Sequence, residues 1–176
     1  SAEKGGKIEA TDSSYGYGIQ LYSESSFTLQ AGTIETTQET VDIYDSTPNC
    51  IVDIAGGKLI STTDNVLGVR GNGTKVTITG GELVSNGRTG VYISCYGDPD
   101  SIQFTMTGGK LTHTGGMSGA IQLYKGATVT IGGAAQIEST SYAVQVQENT
   151  ILNVEGGNLS SSGSSAIYCG ETSTVN

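Results

Sequence analysis

Apolar residues in this chain of 176 residues fall in short alternating pairs rather than in long runs. One set reads apolar-x-apolar at Phe27/Leu29, Val52/Ile54, Val76/Ile78, Phe104/Met106, Val129/Ile131 and Leu152/Val154. A second column holds single apolar residues, usually two positions after a Gly-Gly step: Ile8, Ile34, Leu59, Leu83, Leu111, Ile137 and Leu159, spaced by 26, 25, 24, 28, 26 and 22 residues. A third set comprises Ile19/Leu21, Val41/Ile43, Leu67/Val69, Val91/Ile93, Ile121/Leu123, Val144/Val146 and Ile167/Cys169. The third repeat needs one extra residue to admit Val69. Period-2 alternation predicts strands with one buried face, and the intervening Gly, Ser, Thr and Asn predict turns. No segment carries apolar residues at i, i+3, i+4 and i+7, so long helices are not expected.

One repeat cannot bury its own inward residues. Stacking like turns of chain solves this, because equivalent strands then pair in parallel about 4.8 Å apart. The pattern predicts an all-β, single-stranded parallel β-helix, a solenoid of about seven coils of 22–28 residues with three short strands per coil. On that rise the rod is roughly 34 Å long. Ile8, Ile19, Leu59, Val76, Ile78, Leu83, Leu111 and Ile121 are expected to be buried, with Cys169 as a small core hydrophobe. Composition agrees: Ile plus Val number 27 against 9 Leu, and there are 23 Thr. β-branched side chains suit a pleated surface and crowd a helix.

The Gly-Gly phrases carry a resemblance. Gly56-Gly57-Lys58-Leu59, Gly80-Gly81-Glu82-Leu83 and Gly108-Gly109-Lys110-Leu111 repeat one motif, and Thr74-Lys75-Val76-Thr77-Ile78-Thr79 leads into one copy. The chain resembles the right-handed parallel β-helix of the pectate-lyase-like superfamily. More narrowly, it is similar to the repetitive extracellular β-helix regions of bacterial surface and adhesin-type proteins. The resemblance implies an extracellular or cell-surface location. It does not choose among enzyme, adhesin and spacer, since one fold hosts all three. The repeat fills residues 1–176 as a single β-helix domain. Its ends meet the repeat abruptly, which leads us to expect a fragment of a longer repetitive protein with further coils or domains.

The formal net charge is −9, which argues against nucleic acid as a partner. No apolar run approaches the roughly 18 residues of a membrane span. Cys50, Cys95 and Cys169 have no metal-ligand spacing. Cys50 and Cys95 fall in coils separated by a third, so free thiols are expected.

Function in a solenoid concentrates where the repeat is broken. Counting the strands of a coil in chain order from the Ile8 column through the Ile19/Leu21 set to the Phe27/Leu29 set, the gap from second to third strand is 6 residues from Leu21 to Phe27, 9 from Ile43 to Val52 and 11 from Ile93 to Phe104. Asp45, Asp98 and Asp100 in the longer gaps are weak candidates for calcium, which takes 6–8 oxygen ligands. No other cofactor is expected. The outward positions of the second strand are richer. Gln20, Tyr92, Gln122 and Gln145 lie between inward residues, and Tyr22, Tyr44, Arg70 and Tyr124 follow them. Tyrosine rings stack on sugar faces, while amide and guanidinium groups pair with hydroxyls. This column is the candidate binding face for an extracellular polysaccharide or host glycan. Thr28, Thr77, Thr105 and Thr130 face outward on the third strand, interrupted by Asp53.

Catalytic machinery is less legible. Glu39 and Asp42 are close in sequence but read as isolated, and Arg70 and Arg88 have no carboxylate cluster in register except at longer reach from Asp42 and Asp64. His113 shares a column with Ser85 and Ser139 and reads as a turn residue. The expectation is a non-enzymatic β-helix module for adhesion or glycan binding on a bacterial surface. The alternatives are a polysaccharide lyase or glycoside hydrolase of the pectate-lyase-like superfamily, or a passive spacer.

Overall fold

The computed structural model describes residues 5–44, 48–95, 101–116 and 118–176. Three parallel sheets of seven strands each form an all-β solenoid. The first sheet collects Lys7–Ala10, Thr33–Thr36, Lys58–Ser61, Glu82–Ser85, Lys110–His113, Gln136–Ser139 and Asn158–Ser161. The second collects Ile19–Leu21, Val41–Ile43, Leu67–Val69, Val91–Ser94, Ile121–Lys125, Val144–Val146 and Ile167–Cys169. The third collects Ser26–Leu29, Ile51–Ile54, Lys75–Ile78, Ile102–Met106, Ala127–Ile131, Ile151–Val154 and Thr174–Val175. Strands of one sheet are one repeat apart and pair only with their equivalents, so the chain climbs one rung per repeat, seven rungs in all.

The Gly-Gly step turns the third sheet into the first, and its two glycines have different reasons. A Cβ on Gly56 would lie 2.2 Å from the Gln30 carbonyl oxygen of the rung before, and one on Gly80 would lie 2.4 Å from that of Ala55. The following residues, Gly57 and Gly81, have φ of +74° and +84°, a region costly for side-chain-bearing residues. The first glycine therefore permits stacking and the second permits the turn. The hydrogen-bond ladder continues through this corner: Ala55 N–H donates to Leu29, Thr79 to Ile54 and Thr107 to Ile78, at 2.8–2.9 Å.

Inward residues of all three sheets form one continuous core. Leu59, Val76, Ile78, Leu83, Leu111 and Ile121 are buried as expected. Three expectations fail at the terminal rungs. Ile8 is 48% exposed, Ile19 is only half-buried, and Cys169 is exposed rather than core. Each lies on a rung with a neighbour on one side only, so alternation alone does not bury it. Val69 also needs no extra residue, because Ile43, Val69 and Ile93 pair directly. The irregularity lies one position later, between Ile93 and Ser94, where Ser94 pairs with Lys125. Tyr124 is thereby left outside the column predicted for it.

A buried polar column runs beside the core: Thr36, Ser61, Ser85, His113 and Ser139, in consecutive register. These side chains bind the turn into the second sheet. Thr36 and Ser61 hydroxyls donate to Gln38 carbonyl oxygen at 2.8 and 2.9 Å, and Ser85 donates to Thr89 at 3.1 Å. They satisfy buried carbonyls that the strands leave unpaired. His113 is thus a buried strand residue, not a turn residue. In its neutral ring Nε2 donates to the Arg88 carbonyl oxygen at 3.1 Å, leaving Nδ1 to accept from Ser139 at 3.0 Å. Burial holds its pKa below the ordinary value, which keeps the ring neutral, and the Arg88 carbonyl oxygen, which can only accept, sets the tautomer.

Cys50 and Cys95 are buried and are not joined by a disulfide, and Cys50 Sγ lies 3.3 Å from the Tyr22 carbonyl oxygen. Among the described residues no helix is long and apolar enough to cross a membrane.

Candidate functional site

The second sheet presents outward, in register, Gln20, Asp42, Gly68, Tyr92, Gln122, Gln145 and Tyr168. Side chains of very different size follow one another, so this face is uneven. Tyr22 and Tyr44 stack at its first rungs, with ring centroids 5.9 Å apart and planes 16° from parallel. Gln20 donates to the Tyr44 hydroxyl at 3.2 Å. Farther along, Gln122 accepts from the Thr89 hydroxyl at 3.4 Å.

The gap at Gly68 is filled from the sides. A Cβ there would lie 2.5 Å from Arg70 Nη1 and 2.6 Å from both Glu39 carboxylate oxygens. Arg70 reaches across this gap and binds two carboxylates. Nη1 donates to Glu39 Oε2 at 3.0 Å and to Asp42 Oδ1 at 2.8 Å, and Nη2 donates to Glu39 Oε1 at 2.5 Å. Asn65 Nδ2 donates to Glu39 Oε1 at 2.6 Å. The Tyr92 ring lies under the guanidinium, 5.3 Å from Cζ, a cation–π contact. Glu39 and Asp42 are therefore partners of one arginine, not the isolated acids the sequence suggested.

Two carboxylates and one guanidinium leave one negative charge in excess. Glu39 and Asp42 are only 5% and 2% exposed. Burial pushes the Asp42 carboxyl up, and the neighbouring Glu39 pushes it further, to about 7. Burial also opposes ionisation of Glu39, but the Arg70 hydrogen bonds and charge override it and hold that carboxyl below its usual range. Burial acts against Arg70 as well, and Glu39 and Asp42 more than compensate, so the arginine stays charged. As pH falls through about 7, the cluster takes up a proton at Asp42. Asp64, at the edge of the same cluster, is raised by burial and by Glu39.

Around this cluster the face is concave. A hollow of about 320 Å³ is lined by Tyr17, Glu39, Asp42, Tyr44, Asp64 and both arginines. Its neighbour, about 450 Å³, shares Asn65, Arg70 and Arg88 and adds Tyr92, Gln122 and Tyr124. A third, about 550 Å³, is lined by Tyr142, Gln145, Ser164 and Tyr168. The hollows follow one another along the second sheet. Another hollow, about 520 Å³, lies at the glycine corner. Its charged side chains, Lys58 and Glu82, already pair at 3.1 Å, and backbone supplies most of its remaining wall.

Gln20, Tyr44, Arg70, Tyr92, Gln122 and Tyr124 thus gather around the first two hollows, with Tyr22 stacked at the near end and Gln145 in the third. Sequence reading missed Tyr17, Glu39, Asp64, Asn65, Arg88 and Tyr142 as neighbours on this face. Two signals pointed to the cluster: Gly68 in the middle of a strand, and Glu39 and Asn65 one repeat apart. The calcium candidates Asp45, Asp98 and Asp100 lie outside the described residues. Among the described residues no three His, Cys, Asp or Glu side chains converge as a metal site. Comparison with protein families, with curated proteins and with solved structures finds no match.

Proposed function

We propose that this β-solenoid is a non-enzymatic, extracellular module of a bacterial surface that binds an extended neutral glycan along its second sheet. The observation that carries this reading is the file of hollows lined by Tyr, Gln, Asn and Arg side chains. Sugars present apolar C–H faces and a rim of hydroxyls, and this lining offers rings for the first and polar groups for the second. The direction of the file favours an extended chain, since successive rungs repeat about every 4.8 Å, close to one hexose along a β-linked polymer. Charge favours a neutral one. The chain carries a net −9, and Glu39, Asp42 and Asp64 leave no cationic excess from Arg70 and Arg88 around the first hollow. The sequence resemblance to extracellular β-helix regions supports the location.

The second reading is a glycoside hydrolase, which the raised Asp42 carboxyl beside Glu39 favours. Against it, Arg70 holds both carboxylates and both are almost fully covered. Affinity gel electrophoresis in a soluble β-glucan, a xylan and a mannan separates the readings. Binding predicts retardation in at least one gel and no release of reducing ends. Reducing-end release abolished by Asp42→Asn would favour the hydrolase. Free migration in every gel, without product, would leave the chain a spacer.

A further inference from the structure

We propose that Tyr142, Gln145 and Tyr168 form a second sugar station, so that one β-linked chain of about six hexoses spans the face from Tyr44 to Tyr168. This inference rests on the glycan reading above and adds the length of ligand that the face recognises.

Three observations at the third hollow support it. The Tyr142 and Tyr168 rings lie 5.4 Å apart and 47° from parallel. Unlike the stacked Tyr22–Tyr44 pair, they are tilted against each other, and both line the third hollow. Gln145 Oε1 is buried, and no donor among the described residues reaches it. A buried acceptor without a donor is costly, and a hydroxyl from a ligand in the hollow meets that need. Finally, among the described residues no charged side chain lines this hollow; Thr140 and Ser164 are among its remaining walls. An uncharged site with ring faces and an acceptor awaiting a donor selects a hydroxyl-rich, neutral molecule with apolar faces. It offers a phosphate or carboxylate no cation among the described residues.

Continuity makes this station part of the same site. Gln145 is the direct rung neighbour of Gln122, which lines the middle hollow, and Tyr168 is the next rung on from Gln145. Tyr44 is on the second rung and Tyr168 on the seventh, five steps or about 24 Å apart. At about one hexose per step, a chain of about six units reaches both ends. A shorter chain occupies one aromatic station only.

The test is calorimetric titration of the full chain with oligosaccharides of two to eight units, taken from whichever β-glucan, xylan or mannan retards it in gels. Affinity is expected to climb with length and level off at about six units. Tyr142→Ala/Tyr168→Ala is expected to weaken the six-unit ligand by about tenfold. Gln145→Leu, which keeps both rings, is expected to act in the same direction and guards against local unfolding of the last rungs. Affinity already level at two or three units would overturn the second station while leaving glycan binding intact. So would wild-type affinity for six units in both variants. Free migration in every polysaccharide gel would overturn the glycan reading, and this inference with it.

Discussion

The second and third sheets share one backbone plan, yet their outer faces differ. Outward on the third sheet stand Thr28, Asp53, Thr77, Thr105, Thr130 and Asn153, rung upon rung. These side chains are short and of similar size, and none lines a hollow described above. The corresponding column of the second sheet runs from a glycine to tyrosines and buries a charged cluster. Repetition of like residues gives a flat wall that serves stacking, whereas size alternation on the same ladder gives concavity. A solenoid acquires a site where its repeat is least uniform, without any change of fold.

The largest expected contrast comes from Arg70. Arg70→Ala leaves Glu39 and Asp42 buried without their cation and is expected to cost about 3–5 kcal/mol at pH 8. Thr105→Ala on the flat face is expected to cost about 0.5 kcal/mol or less. Urea titration of both variants checks this, and comparable losses would remove the distinction between the faces.

Both faces stand on the same core. Leu83→Ala, in a middle rung, deletes fully buried contacts and is expected to cost about 2–5 kcal/mol. Leu159→Ala is expected to cost less, because Leu159 is only partly buried on the seventh rung. Equal losses in urea would contradict stacking as the source of burial.

pH separates the faces more finely. The folded-state pKa of Asp42, about 7, lies above the ordinary carboxylate value near 4. The folded state therefore binds that proton more tightly than the unfolded chain. Its stabilising contribution is complete below about pH 4 and is lost as pH rises through about 7. Glu39, held below its usual range, has the opposite sign, and its contribution fades only in more acid solution. Asp42→Asn is expected to flatten the decline of stability between about pH 4 and 7, leaving the smaller slope that Asp64 supplies. Thermal melts across that range read the difference; an unchanged profile would mean that Asp42 is ionised throughout.

The contrast also explains what the sequence disclosed. Gly56-Gly57 and its copies, together with pairs such as Val76/Ile78, repeat the same physical demand in every coil, so strands, parallel pairing and sheet count were legible. Burial of Ile8, Ile19 and Cys169 was not, because it depends on having a rung on both sides. His113 was misplaced because a polar residue in an inward column looks like a turn until the carbonyls it serves are located. The cluster was hidden because Glu39 and Asn65 lie in turns and meet Asp42 and Arg70 only after stacking. Tyr142 escaped notice since it precedes its strand. That Cys50 and Cys95 are not joined by a disulfide did follow from coil spacing.

The claim that the uneven face is the binding face is tested most directly by a paired measurement. The wild-type chain, Tyr44→Ala/Tyr124→Ala and Thr77→Ala/Thr105→Ala are run in gels containing the polysaccharide that retards the parent. The account predicts that the tyrosine variant is retarded much less than wild type while the threonine variant is retarded like wild type. Retardation undiminished in the tyrosine variant but lost in the threonine variant would contradict it and move the ligand to the flat third sheet.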